Sequence, residues 1–151
     1  MKKGISLLEI IIVAAVASIL SAMALYSLSS YRDNELLRGD TERVLSLLSD
    51  ARARTLASRG GSSYGVHLED TKAVLFRGAS YSAGAIDNEI SLLNSGTRIY
   101  PISLEGGGSE VAFARLTGGT EHFGTITVVS RVNSSRSRII SISSGGALGA
   151  D

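Results

Sequence analysis

Residues 5–28 run ISLLEIIIVAAVASILSAMALYSL and hold a single charge, Glu9. From Ile10 to Leu28 no residue is charged. A helix rises about 1.5 Å per residue, so this stretch is close to the ~20 residues needed to cross a hydrocarbon core. Lys2 and Lys3 precede it and are expected to stay in the cytoplasm, which turns the rest of the chain outward. An ordinary signal peptide is one reading, with Ala22-Met23-Ala24 as a small-x-small cleavage site. The apolar run is longer than the usual core of about 7–15 residues and carries a carboxylate. A plain single-span anchor is a second reading, and it gives Glu9 no purpose. A carboxylate in lipid costs at least a few kcal/mol, so such a group has a partner or a function by default.

Lys2-Lys3-Gly4 followed by Ile5-Ser6-Leu7-Leu8-Glu9 resembles the class III signal of type IV pilins and type II secretion pseudopilins. The resemblance implies that a prepilin peptidase cuts after Gly4 and methylates the new N-terminal residue, Ile5. Glu9 is then the fifth mature residue. One helical turn separates it from the new α-amine, and the amine of a neighbouring subunit would compensate its charge and help set axial register. The family usually has phenylalanine at the Ile5 position. It often has a proline about 22 residues into the mature chain, where this sequence has Tyr26. The family also implies partners: other pilin or pseudopilin subunits, an inner-membrane assembly platform and an ATPase.

No proline interrupts residues 5–59, so the apolar helix is expected to continue as an amphipathic one. Leu37, Thr41, Val44, Leu48, Ala51 and Thr55 recur at helical spacing, with Leu45 and Leu56 widening the stripe. Arg38, Glu42, Asp50 and Arg54 fall on the other face as solvated charges. Gly39 marks an expected bend, at about 1 kcal/mol relative to alanine. Gly60-Gly61 ends the helix after Arg59.

Beyond Gly61 the period changes from helical to alternating. Tyr64, Val66 and Leu68 face one way, and Gly65, His67 and Glu69 face solvent. Glu69-Asp70-Thr71-Lys72 is a polar turn before the partner strand Ala73–Phe76. Further strands are expected at 90–93, 98–102, 110–116, 125–130 and 138–143. Residues 77–88 form a loop, and Gly145–Asp151 a loose tail. The fold class is α+β, a long N-terminal helix packed on a C-terminal antiparallel β-sheet. The sheet is expected to bury Val66, Phe76, Val111, Phe113, Ile126, Val128, Ile140 and Ile142 against the helix stripe. The organisation is then a leader at 1–4, a transmembrane or filament-core helix at 5–28, an amphipathic helix at 29–60 and a sheet domain at 61–151.

This part also resembles the family, less specifically. Leu47 to Arg54 is similar to the helix end of the minor pseudopilin H and fimbrial T-like group. Val111-Ala112-Phe113, Gly118-Gly119 and the strands at Ile126 and Ile140 are similar to its C-terminal sheet.

Little in the composition favours catalysis. The 151 residues include no cysteine, which excludes disulfides, thiolate metal sites and a cysteine nucleophile. The net charge of +1 excludes a general electrostatic nucleic-acid binder. His67 and His122 have no third ligand spaced to join them in a zinc site. Gly106-Gly107-Gly108 lacks the Gly-Lys-Ser/Thr of a phosphate loop. No serine sits in Gly-x-Ser-x-Gly. Asp151 is the only carboxylate after Glu121, too few for calcium. No cofactor and no catalytic residue is expected.

Arg131, Arg136 and Arg138 form one basic cluster around the turn Asn133-Ser134-Ser135. A solvated hairpin tip, a subunit contact and a DNA contact are its three readings. The expected protein is a filament subunit, an inner-membrane single-pass precursor that passes into an extracellular pilus or a periplasmic pseudopilus. The alternative is a secreted globular binding protein released by signal peptidase near Ala24. A membrane-tethered hydrolase has no constellation to support it.

Overall fold

The computed structural model describes residues 6–151, and the chain divides into two units, Met1–Asn34 and Glu35–Asp151. Helix α1 (Leu7–Leu56) supplies nearly all the described part of the first and the opening element of the second. In the first unit residues 6–26 are exposed throughout, apolar side chains included. Ile10, Val13, Ile19, Leu20 and Met23 each present more than half their surface.

Eight strands complete the second unit. They are β1 (Tyr64–Glu69), β2 (Lys72–Arg77), β3 (Glu89–Leu92), β4 (Thr97–Leu104), β5 (Glu110–Ala112), β6 (Gly124–Ser130), β7 (Ser137–Ile142) and β8 (Leu148–Ala150). The α+β class holds, but the strands form two antiparallel sheets and not one. Their orders are β3-β2-β1-β5 and β4-β6-β7-β8. The chain leaves the first sheet at Leu92, builds β4 elsewhere, and returns for β5. A sequence pattern locates strands but says little about which of them pair.

One core joins the helix to both sheets. The predicted stripe of Leu37, Thr41, Val44, Leu48, Ala51 and Thr55 is buried, while Leu56 at the helix end is exposed. Against it lie Tyr64, Val66, Leu68, Ala73, Leu75 and Val111 from the first sheet, and Ile99, Ile126, Val128, Ile140 and Ile142 from the second. Thr55 ties the helix end to β1. Its hydroxyl donates to the Ala51 carbonyl at 2.8 Å and accepts the Tyr64 N–H at 2.9 Å. Between them a 3₁₀ turn at Arg59–Gly61 reverses the chain through Ser58, Gly60 and Gly61, all at positive φ. The helix runs unbroken through Gly39, since the buried neighbours Leu37, Asp40 and Thr41 outweigh a propensity deficit of about 1 kcal/mol.

Four further expectations are corrected. Phe76 is buried, but on the outer face of the first sheet, edge-on to Tyr81 at 5.9 Å between ring centroids. His67 is not on a solvent face. Tyr81 stacks flat on its ring, 4.0 Å between centroids and 7° between planes. Both follow from the loop between β2 and β3, which folds back over that face. The tail is not loose, because β8 pairs with β7 through Ile140–Ala150, Ser141–Gly149 and Ile142–Leu148. Strand β5 stops at Ala112 where 110–116 was expected, because a turn closes next: the Ala114 N–H bonds to the Gly119 carbonyl at 2.7 Å.

Candidate functional site

Gly4 and Ile5, the expected cleavage and methylation positions, lie outside the described residues. Glu9 lies in the first turn of α1, exposed, with its backbone N–H bonded to the Ser6 carbonyl at 3.0 Å. It is the only acidic side chain among residues 6–32. By length and composition the helix is apolar enough to cross a membrane. Two of its serines are satisfied within the helix. The Ser18 hydroxyl donates to the Ala15 carbonyl and the Ser21 hydroxyl to the Ala17 carbonyl, both at 2.8 Å. A hydroxyl bonded within its own helix needs no water, so neither serine resists burial in lipid or against another helix.

The arginine cluster sits where the sequence places it, on the β6–β7 hairpin. The hairpin turn is fixed by the Arg136 N–H on the Asn133 carbonyl at 2.9 Å and by the Ser135 N–H on Asn133 Oδ1 at 3.0 Å. Val132 at its tip is 73% exposed. The three arginines do not act alike. Arg131 Nε donates to the Thr97 carbonyl at 3.0 Å, and its terminal nitrogen pairs with Asp70 in the β1–β2 turn. Arg131 therefore joins the two sheets. Arg138 stands opposite Val128 and is half-buried at the outer end of the inner face of β7.

Two polar groups hold the helix in place: Asp40, which is not among the sequence expectations, and Arg54, expected there as a solvated charge. Asp40 is fully buried. Its position between Leu37 and Val44 puts it on the inward stripe, and a carboxylate there was the available signal. Arg54 is not solvated: its side chain is 18% exposed and bridges Asp50 on α1 and Glu89 on β3. Those two carboxylates, Glu89 foremost, hold the guanidinium pKa above its ordinary value.

The histidines lie in different settings. His67 is under Tyr81, with Nε2 3.8 Å from Glu69 and Nδ1 buried without a hydrogen-bond partner. His122 Nδ1 lies 3.2 Å from the Glu105 carbonyl oxygen. Among the described residues no group of three or more His, Cys, Asp or Glu is placed to hold a metal.

Comparison of the chain with family models, with curated proteins and with solved structures gives no match.

Proposed function

We propose that this chain is a structural subunit of a type IV pilus or a type II secretion pseudopilus. It is processed by prepilin peptidase after Gly4, methylated at Ile5 and assembled through its apolar N-terminal helix. One observation supports this above the rest: a helical segment, residues 7–26, whose apolar surface is wholly exposed, with one carboxylate near its start. Such a surface is stable only in lipid or against other helices. The precursor solves this in the inner membrane and the filament by contact with other copies. Ala14, Ala15, Ala17, Ser18, Ser21 and Ala22 let backbones approach closely in that core. The folded unit Glu35–Asp151 forms the outer surface. An assembly platform and an ATPase supply the work of lifting the subunit from the bilayer.

N-terminal sequencing of the protein recovered from cell envelopes tests the reading. A start at methylated Ile5 is expected. A start at Leu25 assigns the helix to a discarded signal peptide and overturns it.

A further inference from the structure

We propose that the turn Ala114–Gly119 and the cavity beside it form a surface through which two copies of the folded unit pair, each placing Leu116 in the cavity of the other. The proposal concerns the unit Glu35–Asp151 alone and goes beyond the filament reading.

The turn holds a leucine where the backbone asks for glycine. It is closed by the Gly118 N–H on the Ala114 carbonyl at 2.9 Å and by the Ala114 N–H on the Gly119 carbonyl at 2.7 Å. To come round, the chain puts Leu116 at φ 71° and Gly118 at φ 66°. That left-handed conformation is easy for glycine and crowds a Cβ against the backbone of any other residue. Leu116 gains no burial in return. At 83% it is the most exposed leucine among the described residues. A large apolar side chain held out on strained backbone has its use outside the unit.

Beside the turn opens a cavity of about 570 Å³. Ala79, Ala112, Phe113 and Ala114 give it apolar walls, and Arg115 and Glu121 also line it. Both of these charged residues are exposed, and among the described residues no ion pair or hydrogen bond engages the side chain of either. The polar groups around them are occupied. Glu110 holds Ser80 and the Tyr81 N–H, Arg52 donates to the Gly118 and Gly145 carbonyls, and the His122 ring meets the Glu105 carbonyl.

One cation, one anion, an apolar hollow and an apolar knob therefore share one surface. A two-fold pair needs both halves of every contact on the same patch, and this patch has them. Leu116 of each copy enters the cavity of the other, and Arg115 of each meets Glu121 of the other. A small apolar ligand would fill the hollow but leaves Leu116 and the two charges without a role, so a second copy is the better-supported occupant.

Sedimentation equilibrium of the full chain in detergent tests the pair. Wild type is expected as a monomer–dimer mixture. Leu116→Gly should weaken pairing at least about tenfold, as for an anchor at the centre of an interface. It should leave the urea midpoint of the folded unit at wild type or above, because glycine suits φ 71°. Arg115→Glu and Glu121→Arg should each weaken pairing about fivefold or more through like-charge contacts. Mixed in equal amounts, those two variants should pair as well as wild type, since each copy then carries the charge that the other needs. A monomeric wild type overturns the proposal, and a detergent molecule held in this cavity by native mass spectrometry would then assign it to a small amphiphile. A dimer indifferent to all three substitutions also overturns it and assigns the association to the apolar helix. So does a lowered midpoint for Leu116→Gly, which makes the leucine a structural residue, or a mixture that pairs no better than its components. The start of the mature chain does not enter this test, because a chain beginning at Leu25 carries the same folded unit.

Discussion

The Asp40 carboxylate on α1 accepts both donors of Asn94, the backbone N–H at 2.9 Å and the side-chain amide at 2.8 Å. It also accepts the Thr97 hydroxyl, and Arg43 closes the set at 2.6 Å. A single buried anion thus fastens the helix to the turn that launches β4. Asp40→Ala leaves four donors without this acceptor, of which Arg43 alone reaches solvent readily, and unsatisfied buried donors cost about 1–3 kcal/mol each. Partial hydration of the vacated space limits the loss, so the expected destabilisation is about 3 kcal/mol. Urea unfolding of the full chain in detergent, followed by tyrosine signal, measures it. Asp40→Asn keeps two acceptor positions at most and should fall between. An unchanged midpoint for Asp40→Ala would show that the turn finds other acceptors.

Two glycines should respond in opposite directions. At Gly39 an added Cβ meets nothing within 4 Å, and the residue is helical. Gly39→Ala should stabilise by about 1 kcal/mol through helix propensity and a less flexible unfolded chain. At Gly65 the added Cβ would lie 2.5 Å from Phe76 Cζ and 2.6 Å from the Val111 carbonyl oxygen. The second of these is backbone, so β1 and β5 must part. Gly65→Ala should destabilise by about 3 kcal/mol, at the upper end for overpacking. The same urea experiment reads both, and equal signs would contradict the packing described.

Tyr81 holds the loop between β2 and β3 on the sheet. Its ring lies on His67, its edge meets Phe76, and its backbone N–H bonds to Glu110 Oε2 at 3.1 Å. Ring pairs of this kind contribute about 0.5–1.5 kcal/mol beyond burial. Tyr81→Ala should therefore let the residue-81 amide exchange with solvent about tenfold faster. The amides of β6 should keep their rates. Uniform acceleration across both sheets would mean that the loop supports the whole fold and not its own cover.

How far the sequence carried depended on the kind of interaction. The helix stripe from Leu37 to Thr55 and the alternation through Tyr64, Val66 and Leu68 were legible because burial leaves a period in the sequence. The division into two sheets was not, since β4 pairs with β6 across a chain separation that no local pattern encodes. The cover over His67 and Phe76 was hidden for a related reason. Tyr81 sits in a glycine- and serine-rich loop, and its neighbours on the sheet, Phe76 and His67, are five and fourteen residues away. Short β8 leaves no signal in the sequence because Leu148-Gly149-Ala150 has weak strand propensity and owes its order to pairing with β7. On the candidate site, the arginines were found as a cluster, but the engagement of Arg131 with Asp70 depends on two turns that meet only after folding.

If the proposed filament forms, Glu9 should affect insertion and assembly in opposite directions. In a lone helix the carboxylate opposes entry into lipid by a few kcal/mol. In the proposed filament it meets the α-amine of a companion copy, and a charge-assisted contact of that kind contributes about 1.5–3 kcal/mol. Glu9→Leu should therefore leave the precursor in the membrane fraction at wild-type level or above. Filament recovered by shearing should fall at least about tenfold, the factor that corresponds to 1.4 kcal/mol per contact. The two fractions, compared by immunoblot from the same cells, give the answer. Parallel loss from both would make Glu9 a folding or insertion residue. Wild-type filament yield would deny it any part in subunit contact, and the register of the stack would then have to come from the small residues between Ala14 and Ala22 alone.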